Sequence, residues 1–226
     1  ADKLLSSIDD YLLNELGIKL PTPKTTLKHR IFKSNLSKVS GNRFDCDYYF
    51  NEEIEISINN GAYKTVGFNA LLSSLINGYD FRDYKEIGTP YIKVANVRKG
   101  SFDFSKMQYI ERGTTEISKA IQLKKGNILL TRKGTFGYSL YLEQDLDYVI
   151  SSEIFYIEIK QDKINSQFLE MFFNSIVGQK QFERVKIGAI MGILSQEAVK
   201  ALRIPLPPLE KQQEIAAHIT GIRPPP

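Results

Sequence analysis

The segment TRKGTFG at 131–137 sets two glycines beside adjacent cations, directly after the strand-like run NILLT at 127–131. Glycine lets backbone N–H groups approach an anion closely, and Arg132 and Lys133 add positive charge, with the Thr135 hydroxyl between them and the second glycine. The natural ligand for such a loop is phosphate. Arg132 also has a second chemistry open to it, bidentate pairing with the O6 and N7 acceptors of guanine. KVANVRKG at 93–100 places Asn96, whose amide matches the N6 and N7 edge of adenine, among Lys93, Arg98 and Lys99. GQKQFERVK at 178–186 combines Gln179 and Gln181 with Lys180, Arg184 and Lys186. Each stretch has a plainer reading beside it, since a charge run is usually a solvated face and a glycine between strands is usually a hairpin.

The charge layout sharpens the choice. Residues 87–102 and 117–142 contain no acid, whereas 44–55 contain Asp45, Asp47, Glu52, Glu53 and Glu55 without a cation. Other chemistries lack their parts. His29 and His218 are the chain's 2 histidines and read as surface residues, and with the single Cys46 they are too scattered in sequence for a His and Cys metal site. Cys46 lies between Asp45 and Asp47, whose negative charge opposes thiolate formation. Neighbouring acids such as Glu52 and Glu53, or Asp80 and Asp83, are commoner on surfaces than at divalent ions. GxxxxGK[ST], GxGxxG and GxSxG are all missing, so the sequence argues against an autonomous enzyme.

The elements that would carry these residues alternate irregularly. YKTV at 63–66, PYIKVANV at 90–97, NILLT, SLYL at 139–142 and FYIEI at 155–159 have the β-branched and aromatic content of strands. Phe68 to Ile76 is expected to be helical, as is Asn165 to Ile176, capped by Asn165 or Ser166. This is a mixed α/β (α+β) pattern, without the alternation of a doubly wound sheet or the period of a solenoid. Amphipathic helices stand at both ends. Leu5, Ile8, Leu12 and Leu16 form one apolar stripe, closed by Gly17. Pro207 and Pro208 open the second helix, Glu210 suits its first turn, and Ile215, Ile219 and Ile222 continue its face. The stripe of Leu5, Ile8, Leu12 and Leu16 is expected to pack antiparallel against Leu209, Ile215 and Ile219, or against a partner protein.

The 226 residues, 42% hydrophobic and 25% charged, suit one substantial domain with appendages, and the net charge of +4 permits nucleic-acid binding without arguing for it. No apolar run reaches the ~18 residues of a membrane span, and a reduced cytoplasmic location is the default expectation. Neither end reads as a natural terminus, with no initiating Met and a last helix running into GIRPPP.

Taken together, LSQEAVKALRIPLPPLEKQQEIAAHI, with IPLPPLEKQ its most specific piece, and upstream NRFDCDYYF, INGYDF, GTPYIKVANVRKGSFDF, LKKGNILLTRKGTFG and ISSEIFYIEI resemble, in order, the DNA-specificity (S) subunits of type I restriction-modification systems. The resemblance covers essentially the whole chain. It implies the end of a spacer helix at 1–17, a linker at 18–30, a target recognition domain at 31–203 and the start of a distal conserved spacer helix at 204–226. Both end helices would then belong to conserved helical spacers. Such subunits carry two recognition domains, each reading half of an interrupted double-stranded DNA site, so this chain would be a half-subunit, more in keeping with the second half because it enters through a spacer helix, and either a trimmed fragment or a half-size subunit that pairs with itself.

The resemblance further implies that the helices dock methyltransferase subunits using S-adenosylmethionine, and that a restriction and motor subunit joins the assembly. S-adenosylmethionine, ATP and magnesium would act in those partners, with no cofactor, metal or catalytic residue here. Within that frame Arg132, Asn96 and Gln179 are expected at base edges, and Lys93, Arg98, Lys99, Lys133, Lys180, Arg184 and Lys186 mainly at phosphates. A recognition domain from another modification enzyme, and a protein-assembly scaffold with incidental basic loops, are the competing readings.

Overall fold

The computed structural model describes residues 2–21, 48–49, 51–113, 121–188 and 192–223, with the side chains of residues 2–6 outside the description. His29, Cys46, Lys119, most of the expected linker and the Leu5 side chain therefore lie outside the described residues.

Helix α1 runs Asp2–Leu16. Gly17 ends it with φ 63, and Ile18 N–H donates to the Leu13 carbonyl at 2.9 Å, closing orphan carbonyls of the last turn. Helix α2, Glu52–Asn59, buries Ile54 and Ile58. Strand β1, Thr65–Gly67, pairs antiparallel with β11, Arg203–Pro205.

The central sheet has the order β2–β10–β7–β8, from β2 (Leu72–Asn77), β7 (Ile128–Thr131), β8 (Ser139–Tyr141) and β10 (Ile154–Ile159), all antiparallel. β7 and β10 are apolar on both faces because both faces are covered. Ile128, Leu130, Phe155, Ile157 and Ile159 join a cluster with the helices, while the alternate residues Leu129, Ile154 and Tyr156 join a second cluster with Ile92, Val97 and Ile150. Those last residues come from strands β3 (Thr89–Ile92), β4 (Val97–Arg98) and β9 (Val149–Ile150). β3 pairs with β6 (Gln108–Ile110) and, in parallel, with β9; β4 pairs with β5 (Ser101–Phe102).

The helix expected over Phe68 to Ile76 is a correction: residues 68–70 form one 3-10 turn and 72–77 form β2. Leucine-rich LLSSLI has helical propensity, but the β10 edge supplies five paired residues, and tertiary pairing overrides local preference.

Helix α3, Ser166–Asn174, starts at Asn165, whose side chain accepts from Phe168 N–H at 2.9 Å. α4, Ile176–Val185, starts at Ser175, and α5, Gln196–Lys200, at Ser195, both side chains accepting from the backbone of the first turn. α6, Leu209–Ile222, follows Pro207 and Pro208 with Glu210 in its first turn.

The end helices lie against each other and against the domain. Tyr11 stacks on the exposed His218 at 4.0 Å between centroids, and Lys211 Nζ reaches Glu15 at 2.6 Å, an antiparallel register. Leu12, Leu16, Ile215 and Ile219 are buried in the same cluster as Phe155, Phe168 and Phe172, with Ile8 packed on it; Leu209 is half-buried. Instead of standing apart, the helices share the domain's core.

Three polar anchors fix their direction. Asp9 on α1 accepts from Ile176 N–H at the start of α4. Gln212, fully buried near the start of α6, accepts from Asn165 N–H at 2.8 Å and donates to Pro207 and Lys163 carbonyls. At the far end of α6, Arg223 meets Glu170 of α3 at 3.0 Å.

Candidate nucleic-acid interface

Antiparallel order brings several loops to one end of the central sheet. Thr131, the last residue of β7, faces Ile154, the first of β10, and Asn77, the last of β2, faces Phe155. The loops 78–88, 132–138 and 151–153 therefore share this rim. Ile187 and Ile193, bridged to each other, join them through a bridge between Lys133 and Ile193.

The glycine loop is built rigidly. Gly137 N–H donates to the Thr131 carbonyl at 2.7 Å, Tyr138 N–H to the Thr131 hydroxyl at 2.9 Å, and Phe136 N–H to the Gly134 carbonyl at 3.0 Å. Gly134 and Gly137 have φ of 73 and 82, conformations that strain other residues. A Cβ on Gly137 would sit 2.8 Å from the Phe182 ring, so glycine also permits close packing on α4. Lys133, Gly134 and Thr135 form the exposed tip. Among the described residues, the N–H groups of Gly134 and Thr135 make no hydrogen bond, so the tip presents two backbone donors beside an ammonium.

Arg132 is half-buried and forms the loop's footing. Its Nε donates to the Leu194 carbonyl at 3.3 Å, Nη1 to the Ser152 carbonyl at 3.4 Å, and its guanidinium lies 5.0 Å from the Phe155 ring centroid. Its backbone is held too, by Glu153 and Leu194. Gln179 braces the other side, with Nε2 donating to the Gly137 carbonyl at 2.7 Å and the Phe173 carbonyl at 2.8 Å. Both hydrogens of that amide are spent inside the fold, so the expected base-edge role of Gln179 is corrected to a brace.

Asn96 is a second correction. It is 0% exposed; its Oδ1 accepts from Lys93 N–H at 2.8 Å and its Nδ2 donates to the Asp103 carbonyl at 2.9 Å. An amide sealed in this way has no edge to offer a base. Around it, Lys93 Nζ meets the Tyr84 hydroxyl at 3.2 Å, Arg98 pairs with Asp103 at 3.1 Å, and the exposed Lys99 lies 5.4 Å over the Tyr138 ring. The Ser105 hydroxyl and N–H, followed by Arg98, hold the Asp103 carboxyl below its ordinary range.

The cations of 178–186 divide likewise. Arg184 is paired with Glu55 of α2, stacks 4.5 Å over Tyr48 and donates to the Tyr48 carbonyl at 3.3 Å. Lys186 reaches Glu183 at 2.5 Å beside the Phe136 ring. Each is tied to an acid within the fold, whereas Lys180 is half-buried on α4. At the opposite end of β7, the Lys125 backbone N–H and the Lys124 ammonium both donate to the Asp145 carboxylate, and in that order they depress its carboxyl.

One pairing had no sequence signal. Gln196 on α5 donates from Nε2 to Asn77 Oδ1 at 3.1 Å, at the end of β2 and across 119 residues. The buried Tyr91, whose hydroxyl donates to the Tyr79 carbonyl at 2.7 Å, supports the 78–88 segment, and burial pushes its pKa up to about 12.

The family described as "Type I restriction modification DNA specificity domain" matches residues 73–221, which include the rim, α5 and nearly all of α6. The chain belongs to that family.

Among specificity subunits, the chain is 22% identical over 149 residues to the type I restriction enzyme MjaVIII specificity subunit of Methanocaldococcus jannaschii, covering 64% of this chain and 35% of that protein. It is 24% identical over 142 residues to the EcoBI specificity subunit of Escherichia coli, covering 63% of this chain and 29% of that one. The chain thus spans about a third of the length of these curated relatives. The crystal structure of the HsdS subunit from Thermoanaerobacter tengcongensis shares the fold with a TM-score of 0.56 over 98% of this chain and 43% of the other, at 12% identity.

Proposed function

We propose that this specificity-domain chain is a non-catalytic, sequence-reading subunit or half-subunit that binds double-stranded DNA at one half of a bipartite target. The observation that carries this reading is the braced glycine loop, with Lys133 and two free N–H donors at its tip. Phosphate contacts position a protein on duplex DNA, and base contacts from the same rigid surface supply sequence information. Arg132 and Gln179 act as positioning residues, holding the loop so that Lys133, Gly134 and Thr135 meet the backbone without paying an ordering cost at binding.

The α1–α6 pair is the docking element for methyltransferase subunits, and its polar anchors support this, because a spacer must transmit a fixed direction. S-adenosylmethionine, ATP and magnesium act in the partner subunits, and the restriction and motor subunit joins through the complex. This recognition domain would read its half of the target beside a second recognition domain that reads the other half, in the cytoplasm.

Fluorescence anisotropy with a random-sequence duplex of ~30 base pairs at several salt concentrations tests the reading. Expected is binding that weakens linearly in log affinity against log salt. Binding indifferent to salt, or none while methyltransferase subunits still associate, would favour an assembly scaffold.

A further inference from the structure

We infer that Ile187 reads a thymine of the target by packing on its 5-methyl group, beside the phosphate that Lys133 holds; this inference rests on the duplex-DNA reading above. Three segments pair side by side at the rim. Ile187 and Ile193 exchange both backbone hydrogen bonds at 2.9 Å, Lys133 pairs with Ile193 from the other side, and Leu194 N–H donates to the Arg132 carbonyl at 2.8 Å next to that pair. Both pairings are antiparallel, and residues directly opposite in an antiparallel ladder carry their side chains on one face. Lys133, Ile193 and Ile187 therefore form one row across the ribbon, with the Cα spacings of its two kinds of pair, about 4.5 Å and about 5.5 Å.

The other face of this ribbon is closed. Lys186, one residue before Ile187, sets its ammonium 5.7 Å from the centre of the Phe136 ring, and a Cβ on Gly192, one residue before Ile193, would collide with that ring. Phe136 in turn packs on the main cluster. Alternation along the paired segments then turns the row away from Phe136 and outward. Exposure agrees: Ile187 is 58% exposed and Lys133 is exposed, while Ile193 between them is half-buried.

The row joins two chemistries that duplex DNA also joins. A phosphate oxygen suits the ammonium, and thymine is the base that adds a methyl group to its major-groove edge. That methyl lies on the side of the groove nearest its own strand's backbone, so a phosphate at Lys133 brings a methyl group towards the isoleucines of the same row. A β-branched side chain on a paired backbone is stiff at χ1, which puts the apolar surface in place before DNA arrives. Two isoleucines are too small a surface for a specific protein partner, whose interface buries roughly 1,200–2,000 Å², but they suffice to cover one methyl group.

The experiment uses the full chain, with its methyltransferase subunits if they are needed for binding, and the duplex that selection from a random pool returns. Each thymine of the motif is replaced in turn by deoxyuridine, which removes the 5-methyl group and leaves base pairing intact. At one thymine this is expected to weaken wild-type binding about 4-fold, the worth of one buried methyl group. Ile187→Ala is expected to bind the thymine duplex more weakly and to lose the uracil effect at that position alone. Melting temperatures confirm folding; if Ile187→Ala is unfolded, Ile187→Thr, a good strand former with a shorter side chain, is put through the same comparison. No uracil effect at any thymine, an effect unchanged in the folded variant, or a motif without an A·T pair would overturn the isoleucine contact while leaving DNA reading intact. Loss of methyltransferase binding in a variant that keeps the wild-type uracil effect would make the row a protein contact instead. A wild-type chain that selects no motif in either setting would remove the DNA reading, and this contact with it.

Discussion

The Asp9 carboxylate accepts a hydrogen bond from the backbone N–H of Ile176 at 2.9 Å, tying the first helix to the start of another helix 167 residues later. Burial raises the Asp9 carboxyl above its ordinary range, and this N–H, then Lys99, pull it back. The contact makes the leading helix a structural part of the recognition domain, with a direction set by charge and donor as well as by apolar packing.

Removing that acceptor should loosen the joint. Asp9→Ala is expected to lower unfolding free energy by ~1 kcal/mol, the usual loss on deleting a side-chain acceptor at a helix start, whereas Asp9→Asn keeps an acceptor and loses less. Urea denaturation reads both, and an Ala midpoint equal to wild type would mean the anchor is idle.

Leu12 tests the shared core. At 1% exposure within the main cluster, Leu12→Ala should cost ~2–5 kcal/mol in a single cooperative transition. A change under ~0.5 kcal/mol, or a separate early transition for the helix, would show that the helices fold apart from the domain.

The two cations of the glycine loop should separate cleanly. Lys133→Ala should reduce the slope of log affinity against log salt by ~0.9, one phosphate contact, with little effect on stability. Arg132→Ala should lower the melting temperature and weaken binding to all duplexes alike, because Arg132 supports the loop. A loss confined to one base pair after Arg132→Ala would instead restore it as a base reader, and an unchanged slope for Lys133→Ala would remove it from the interface.

Glu170 gives a pH signature. Burial raises its carboxyl above 4.5, opposed by the Arg223 ion pair and the Asn174 amide. The native state holds this proton more tightly than the unfolded state, so its contribution is fully present below 4.5 and declines as pH rises through the higher folded value. Glu170→Gln should therefore gain stability relative to wild type as pH rises from 4.5 to neutrality. A difference between the two proteins that stays constant with pH, or changes in the other direction, would contradict this.

NILLT, SLYL and FYIEI, and the helix capped by Asn165, are legible because local pattern and tertiary environment agree there, whereas PYIKVANV is broken after Ile92 by a 3-10 turn over Val94–Asn96. LLSSLI at 71–76 is not legible, because its pairing with β10 is a long-range fact that leucine content opposes. The glycine loop was visible as a candidate from its own residues. Residue type could not distinguish the free Lys133 from Arg184 and Lys186, since their acids, Glu55 and Glu183, come from the fold and from helix spacing. Asn96 and Gln179 misled for the same reason: an amide suited to a base edge is equally suited to two backbone groups. Asn77 and Gln196 gave no signal at all, being ordinary polar residues until β2 and α5 set them together.

The most direct test of the central claim is selection from a random duplex DNA pool at moderate salt, with the chain alone and with methyltransferase subunits. Enrichment of one short motif in either setting is predicted, and that motif is the chain's half-site. Failure to enrich any motif in both settings, while the subunits bind the chain, would contradict sequence reading and leave an assembly scaffold.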